Sequence, residues 1–196
     1  MAREPAGYAA EVTETEPQFE QLLETLKRAA AALREEGVPF ALGGGIAIWA
    51  RGGPETEHDL DFFLKPEDGE RALDALAEAG FRPEKPPEGW LYKAWGGDVL
   101  VDLIFDPTGV TVDDEFLARA PETEVRAVRI RVMRPEDVLA TKLLAMREHE
   151  VDYDSVLEMA RSVREQIDWD ELRRLTRDSP YAKAFFTLVN ELDVSA

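Results

Sequence analysis

Near the start of the chain, apolar residues recur at helical spacing: Phe19, Leu22, Leu23, Leu26, Ala30 and Leu33 share one face. Thr15-Glu-Pro-Gln18 offers a capping-box start with Pro17 in the first turn, and Gly37 supplies the stop. Val38–Leu42 then predicts a short apolar strand, Gly43-Gly44-Gly45 a turn, and Ile46–Ala50 a short buried helix. A loop rich in Gly and Pro, Arg51–Glu57, leads into a second strand over His58–Leu64. A helix over about Glu67–Ala79 closes at Gly80, and Pro83–Gly89 is expected to be loop. Trp90–Trp95 and Asp98–Phe105 flank Gly96-Gly97, the pattern of a β-hairpin with a two-residue glycine turn. Val125–Val132 alternates and predicts an edge strand.

From Pro135 onward the period is helical throughout. Pro135–Arg147, Asp152–Arg164, Asp168–Arg177 and Pro180–Leu192 each predict a helix without strand-like runs. The pattern therefore predicts an α+β fold: a small mixed β-sheet flanked by helices, followed by a C-terminal helical bundle. Residues 1–14 are expected to form a flexible acidic lead, 15–133 the core domain and 134–196 a helical C-terminal domain.

Composition narrows the functional classes. Hydrophobic residues make up 44% of the 196 and aromatics 9%, enough for a packed core. With no cysteine, disulfides, thiolate zinc sites and thiol nucleophiles are excluded, which suits a cytoplasmic location. No signal-peptide h-region is readable near the start, and no apolar run reaches the roughly 18–20 residues of a membrane span. The net charge of −18 repels polyphosphate at long range and argues against strong non-specific nucleic-acid binding.

Candidate chemistry centres on three aspartates. On the strand through His58–Leu64, Asp59 and Asp61 share a face with Phe63, opposite Leu60, Phe62 and Leu64. In Val99–Phe105, Asp102 stands amid apolar neighbours, where a carboxylate is costly unless it is paired, hydrogen-bonded or metal-bound. If the two strands are neighbours, three carboxylates converge into an oxygen site suited to Mg²⁺ or Mn²⁺. Gly43, Gly44 and Gly45 open a helix and let backbone N–H groups approach a phosphate. An isolated Asp-x-Asp pair ordinarily marks a solvated strand edge, and an isolated glycine turn a packing corner. The ordered combination is far more specific.

That combination resembles the DNA polymerase β-like nucleotidyltransferase superfamily, with its small bacterial members, the minimal and abortive-infection (type IV toxin) nucleotidyltransferases, the nearest likeness. The resemblance rests on Leu42-Gly-Gly-Gly-Ile-Ala47, His58-Asp-Leu-Asp-Phe-Phe63 and Val101-Asp-Leu-Ile104. It extends more loosely to Arg134-Pro-Glu-Asp-Val-Leu-Ala-Thr-Lys-Leu-Leu-Ala145 and Asp152, covering about residues 38–165. It implies an enzyme that moves a nucleoside monophosphate from an NTP, such as ATP, to an acceptor hydroxyl. In that scheme Asp59 and Asp61 hold the metals, and Asp102 completes the site and favours deprotonation of the acceptor hydroxyl. Gly44 and Gly45 contact phosphate, and Lys142 reaches the triphosphate or organises the site. A tRNA end, a protein side chain and a small molecule all remain open as acceptor, and the toxin-like members imply a possible antitoxin partner. Two departures stand out. Gly44-Gly45 replaces a common Gly-Ser, and the Arg-x-Thr-x-Asp lead is altered, with Thr56 one position early and Arg51 the nearest arginine.

Other residues carry plainer expectations. Lys142 lies on a predicted helix with Leu139, Leu143 and Met146, where a lysine ordinarily snorkels to solvent. His58 is expected to make a structural hydrogen bond and His149 to be solvated. Trp49, Trp90, Trp95 and Tyr92 could stack on a base, but packing is the stronger expectation for each. Arg161, Arg164, Arg173, Arg174 and Arg177 interleave with acidic residues and favour surface ion pairing over RNA binding. The alternative from another class is a non-catalytic nucleotide-binding or protein-interaction module that retains the fold.

Overall fold

The computed structural model describes residues 15–56 and 59–195. The expected acidic lead and His58 lie outside the described residues, as do the side chains at 15–17 on which the capping box rests. The first half runs α1 (Thr15–Glu35), β1 (Phe40–Leu42), α2 (Gly44–Trp49), β2 (Asp59–Leu64), α3 (Gly69–Glu78), β3 (Arg82–Glu84), β4 (Leu91–Gly96) and β5 (Val99–Ile104). It continues through α4 (Asp114–Arg119), β6 (Glu122–Val125), β7 (Val128–Arg131), α5 (Pro135–Ala145), α6 (Tyr153–Ser162), α7 (Trp169–Leu175) and α8 (Pro180–Glu191). The fold is α+β, as the periodicity predicts.

Five strands form one sheet in the order β1-β2-β5-β4-β3. The β2–β5 pair is parallel and the other neighbours are antiparallel, so the sheet is mixed. One face, carrying Leu60, Phe62, Val101 and Leu103, is wholly buried and packs against α1 and α3. The α1 stripe that meets it, including Leu22, Leu23 and Leu26, is equally buried. On the opposite face Phe63 packs against Phe116 of α4. Among the described residues, no helix is long and apolar enough to cross a membrane.

Three local expectations need correction. The hairpin turn is Gly97-Asp98, because Gly96 still pairs with Val99 as the last residue of β4. A β-carbon at Gly96 would lie 2.7 Å from the Phe81 ring and 2.9 Å from Thr25, so that glycine serves packing, while Gly97 (φ +70°) makes the turn. The alternating run Val125–Val132 is not one strand. It breaks at Arg126 and Ala127, both at positive φ (47° and 65°), into the β6–β7 hairpin. Two successive left-handed residues make a tight turn whose twist suits a hairpin, but neither residue belongs to the Asn/Gly set that signals one. The expected loop at Pro83–Gly89 begins as the tail of β3, an edge strand where a proline without an N–H is tolerated.

Arg51 ties the site-bearing pieces together. Its guanidinium donates to the Val132 carbonyl (3.1 Å) and the Met133 carbonyl (2.9 Å), while its own carbonyl accepts from Gln166 Nε2 (2.9 Å). Met133 N–H in turn donates to Leu42 O of β1 (2.9 Å). The residue thus clamps the loop after α2 onto the segment that launches α5. Replacing it leaves carbonyls without a donor, so Arg51→Met is expected to lower unfolding free energy by about 1–3 kcal/mol. Denaturant melting followed by circular dichroism measures this, with the native spectrum retained.

Candidate active site

Strand register brings the carboxylates together. Parallel pairing sets Asp61 directly against Asp102 and Asp59 against Leu100. Since side chains alternate along a strand, Asp59, Asp61 and Asp102 emerge on one face. One carboxylate oxygen from each lies within 4.8 Å of the other two. Asp102 is buried and the other two are half-buried.

The glycine turn is built against this cluster. Gly43 N–H donates to the Asp61 carbonyl (2.8 Å), which pins the turn to β2. Gly44 has φ +58°, and a β-carbon there would sit 1.8 Å from Asp61 Oδ2. Backbone conformation and space both require glycine at 44. At Gly45 a β-carbon would fall 2.8 Å from Thr56 Oγ1, and at Gly43 it would fall 2.4 Å from the Phe63 ring. Thr56 therefore stands beside the glycine turn despite its shifted place in the sequence.

Gly44, Asp61, Trp90 and Lys142 line one cavity of about 430 Å³. Asp59 and Asp102 adjoin it through Asp61. Gly45 and Thr56 instead line a separate cavity of about 350 Å³. Lys142 reaches the site from α5, whose start is fixed by ion pairs to two buried carboxylates: Arg134 Nε donates to Asp137 (2.9 Å), Arg119 donates to Asp137 (3.1 Å), and Arg134 pairs with Glu136 (3.2 Å). Of the four aromatic residues considered, Trp90 lines the cavity. Trp49 packs edge-on against Phe19, Tyr92 donates to Glu70, and Trp95 donates through Nε1 to Glu84. Ion pairing or packing accounts for Arg173, Arg174 and Arg177, which meet Phe186, Glu171 and Asp178 respectively.

Lys93 also belongs to the site, and its chemistry was not legible in the sequence. It lies directly opposite Asp102 in the β4–β5 register, with Nζ 3.2 Å from Asp102 Oδ1. Its place between Leu91 and Trp95 marks it as a strand residue. Only the cross-strand register reveals its partner.

Crowded carboxylates resist ionising together. Burial, then the neighbouring Asp59, pushes the Asp61 carboxyl up to about 7, while Lys142 pulls the other way. Burial also raises the Asp102 carboxyl, opposed by Lys93.

Residues 22–184 match the family described as nucleotidyl transferase of unknown function (DUF2204). The chain belongs to that nucleotidyltransferase family. Its fold is also found in solved structures of low sequence identity. The solution structure of antibiotic-resistance factor ANT(2'')-Ia has TM-score 0.63 at 17% identity, over 90% of this chain and 98% of that one. A crystal structure of ANT(2'')-Ia with adenylyl-2''-tobramycin gives TM-score 0.57 at 18% identity, over 85% and 98%. Lincomycin-bound LnuA, a lincosamide antibiotic adenylyltransferase, gives 0.50 at 15% identity, over 76% and 96%. No curated protein matches the chain.

The donor set fits a hard divalent cation. Three carboxylates offer only oxygen, and two of them retain exposure through which waters or phosphates can complete the coordination. Without a cation their repulsion weighs on the fold. An acid whose folded-state pKa is raised stabilises the fold most below its unfolded value near 3.8, and that contribution is lost as pH rises to about 7. Asp61→Asn removes the charge. In EDTA at pH 8 the variant is expected to be more stable than the wild type by roughly 1–3 kcal/mol, with the advantage fading towards pH 5. Paired melts of the two proteins across this range test it; equal stability at pH 8 would contradict the repulsion.

Proposed function

We propose that the chain transfers a nucleoside monophosphate from an NTP to a hydroxyl of a small-molecule acceptor, releasing pyrophosphate. The reading is carried by the convergence of Asp59, Asp61 and Asp102 beside Gly44 in a chain of the nucleotidyltransferase family. In this scheme Asp59, Asp61 and Asp102 hold Mg²⁺ or Mn²⁺. The bound ion neutralises phosphate charge and acts as a Lewis acid. The acceptor oxygen forms a bond to the α-phosphorus as the bond from that phosphorus to the pyrophosphate oxygen breaks. Asp102 takes the hydroxyl proton. Lys142 holds the triphosphate across the cavity, Gly44 offers it a backbone N–H, and Trp90 lines the same cavity on the side left for the base.

Two observations support a small acceptor. The net charge of −18 opposes a polyanionic acceptor such as tRNA. The fold is shared with an antibiotic-resistance factor over 90% of this chain and with a lincosamide antibiotic adenylyltransferase over 76%, which makes hydroxylated small molecules the first class to try. A toxin role, with an antitoxin to restrain it, would call for a macromolecular acceptor instead.

The test is incubation with each α-labelled NTP, Mg²⁺ and a fractionated cell extract. Label is expected in the small-molecule fraction. Label in tRNA or protein would overturn the acceptor assignment while sparing the chemistry. Asp59→Asn and Asp61→Asn are expected to reduce transfer by at least about 10³-fold while leaving the fold intact. Calorimetric NTP binding with no turnover in any fraction would favour the non-catalytic module.

A further inference from the structure

We infer that Lys93 stands in place of a second cation at the carboxylate triad, so that the nucleotide-free site takes up a single divalent ion. The inference rests on the reading of the triad as a metal site. Sheet register fixes the lysine there: Lys93 and Asp102 are directly cross-strand, their side chains are 27% and 12% exposed, and the ammonium lies 3.2 Å from Oδ1. The adjoining Glu84 does not draw it away. Glu84 faces Lys93 across β3–β4, yet its carboxylate accepts from Trp95 Nε1 (3.0 Å) and meets Arg82 (3.8 Å). Lys93 is thereby left to Asp102. Lys142 serves the opposite side of the cluster, lining the cavity beside Asp61.

Charge balance gives the consequence. Three carboxylates faced by the Lys93 and Lys142 ammoniums carry at most one net negative charge, which one divalent ion more than neutralises. A second ion would meet net positive charge and would have to displace the ammonium from Asp102. Lys93 is then a positioning residue. It holds Asp102 through Oδ1 while the ion settles among the three aspartates, and it leaves any further cation to arrive with the nucleotide.

Binding of Mn²⁺, read from the electron paramagnetic resonance of the free ion, tests this without recourse to activity. Wild type, Lys93→Arg, Lys93→Met and the control Lys183→Met, which removes an exposed lysine elsewhere, are titrated without nucleotide. One ion per chain is expected for wild type, Lys93→Arg and Lys183→Met, and two for Lys93→Met. Two ions on wild type, or one on Lys93→Met, would overturn the inference and leave the metal site standing. If neither wild type nor Lys93→Met binds Mn²⁺, the metal reading falls along with it. Melting in EDTA establishes that each variant is folded. Should Lys93→Met fail that check, the wild-type stoichiometry decides: one ion supports the inference and two overturn it.

Discussion

The site depends on the parallel pairing of β2 with β5. A register shift of one residue would turn Asp102 away from Asp61 and drive the aspartates of one strand into the apolar face under α1 and α3. The buried partners Leu60, Phe62, Val101 and Leu103 hold that register because they have nowhere else to go. Hydrophobic burial on one face therefore fixes electrostatic crowding on the other. The glycine turn adds a second constraint, since Gly44 lies so close to Asp61 that no side chain fits between them.

The crowding acts against the stability of the metal-free fold. Packing on the far face offsets it, and charges arranged around the cluster soften it. Lys93 meets Asp102 from β4 and Lys142 approaches Asp61 from α5, so each flank of the cluster has its own cation. The position of Lys142 depends in turn on the buried Glu136 and Asp137 carboxylates at the start of α5 with their partners Arg134 and Arg119, and on Arg51 gripping the carbonyls just before it. Residues remote from the cluster thus bear on its geometry. A conflict of this kind between local stability and arrangement is what a functional site imposes on a fold.

Much of this was legible in the sequence because it follows from periodicity. The α1 stripe, the apolar strands, the three aspartates and the late helices are all written in spacing, and the family resemblance joined the glycine turn to the acid pair. The pieces that escaped depend on partners distant in the chain. The Lys93–Asp102 pair follows only from cross-strand register. Thr56 meets Gly45 through a loop whose path no local pattern specifies. The Arg126-Ala127 turn uses residues that seldom adopt positive φ, so an alternating run concealed a hairpin. Arg51, the nearest arginine to the altered lead, proved to be bound to backbone carbonyls.

The central claim is that the three aspartates gather a divalent ion beside a nucleotide. A crystal structure with Mn²⁺ and a non-hydrolysable NTP analogue, with anomalous scattering at the manganese edge, tests it most directly. The account predicts anomalous density shared by Asp59, Asp61 and Asp102, with the triphosphate between Gly44 and Lys142. Nucleotide bound elsewhere, or in that cavity with no manganese at the aspartates, would contradict it.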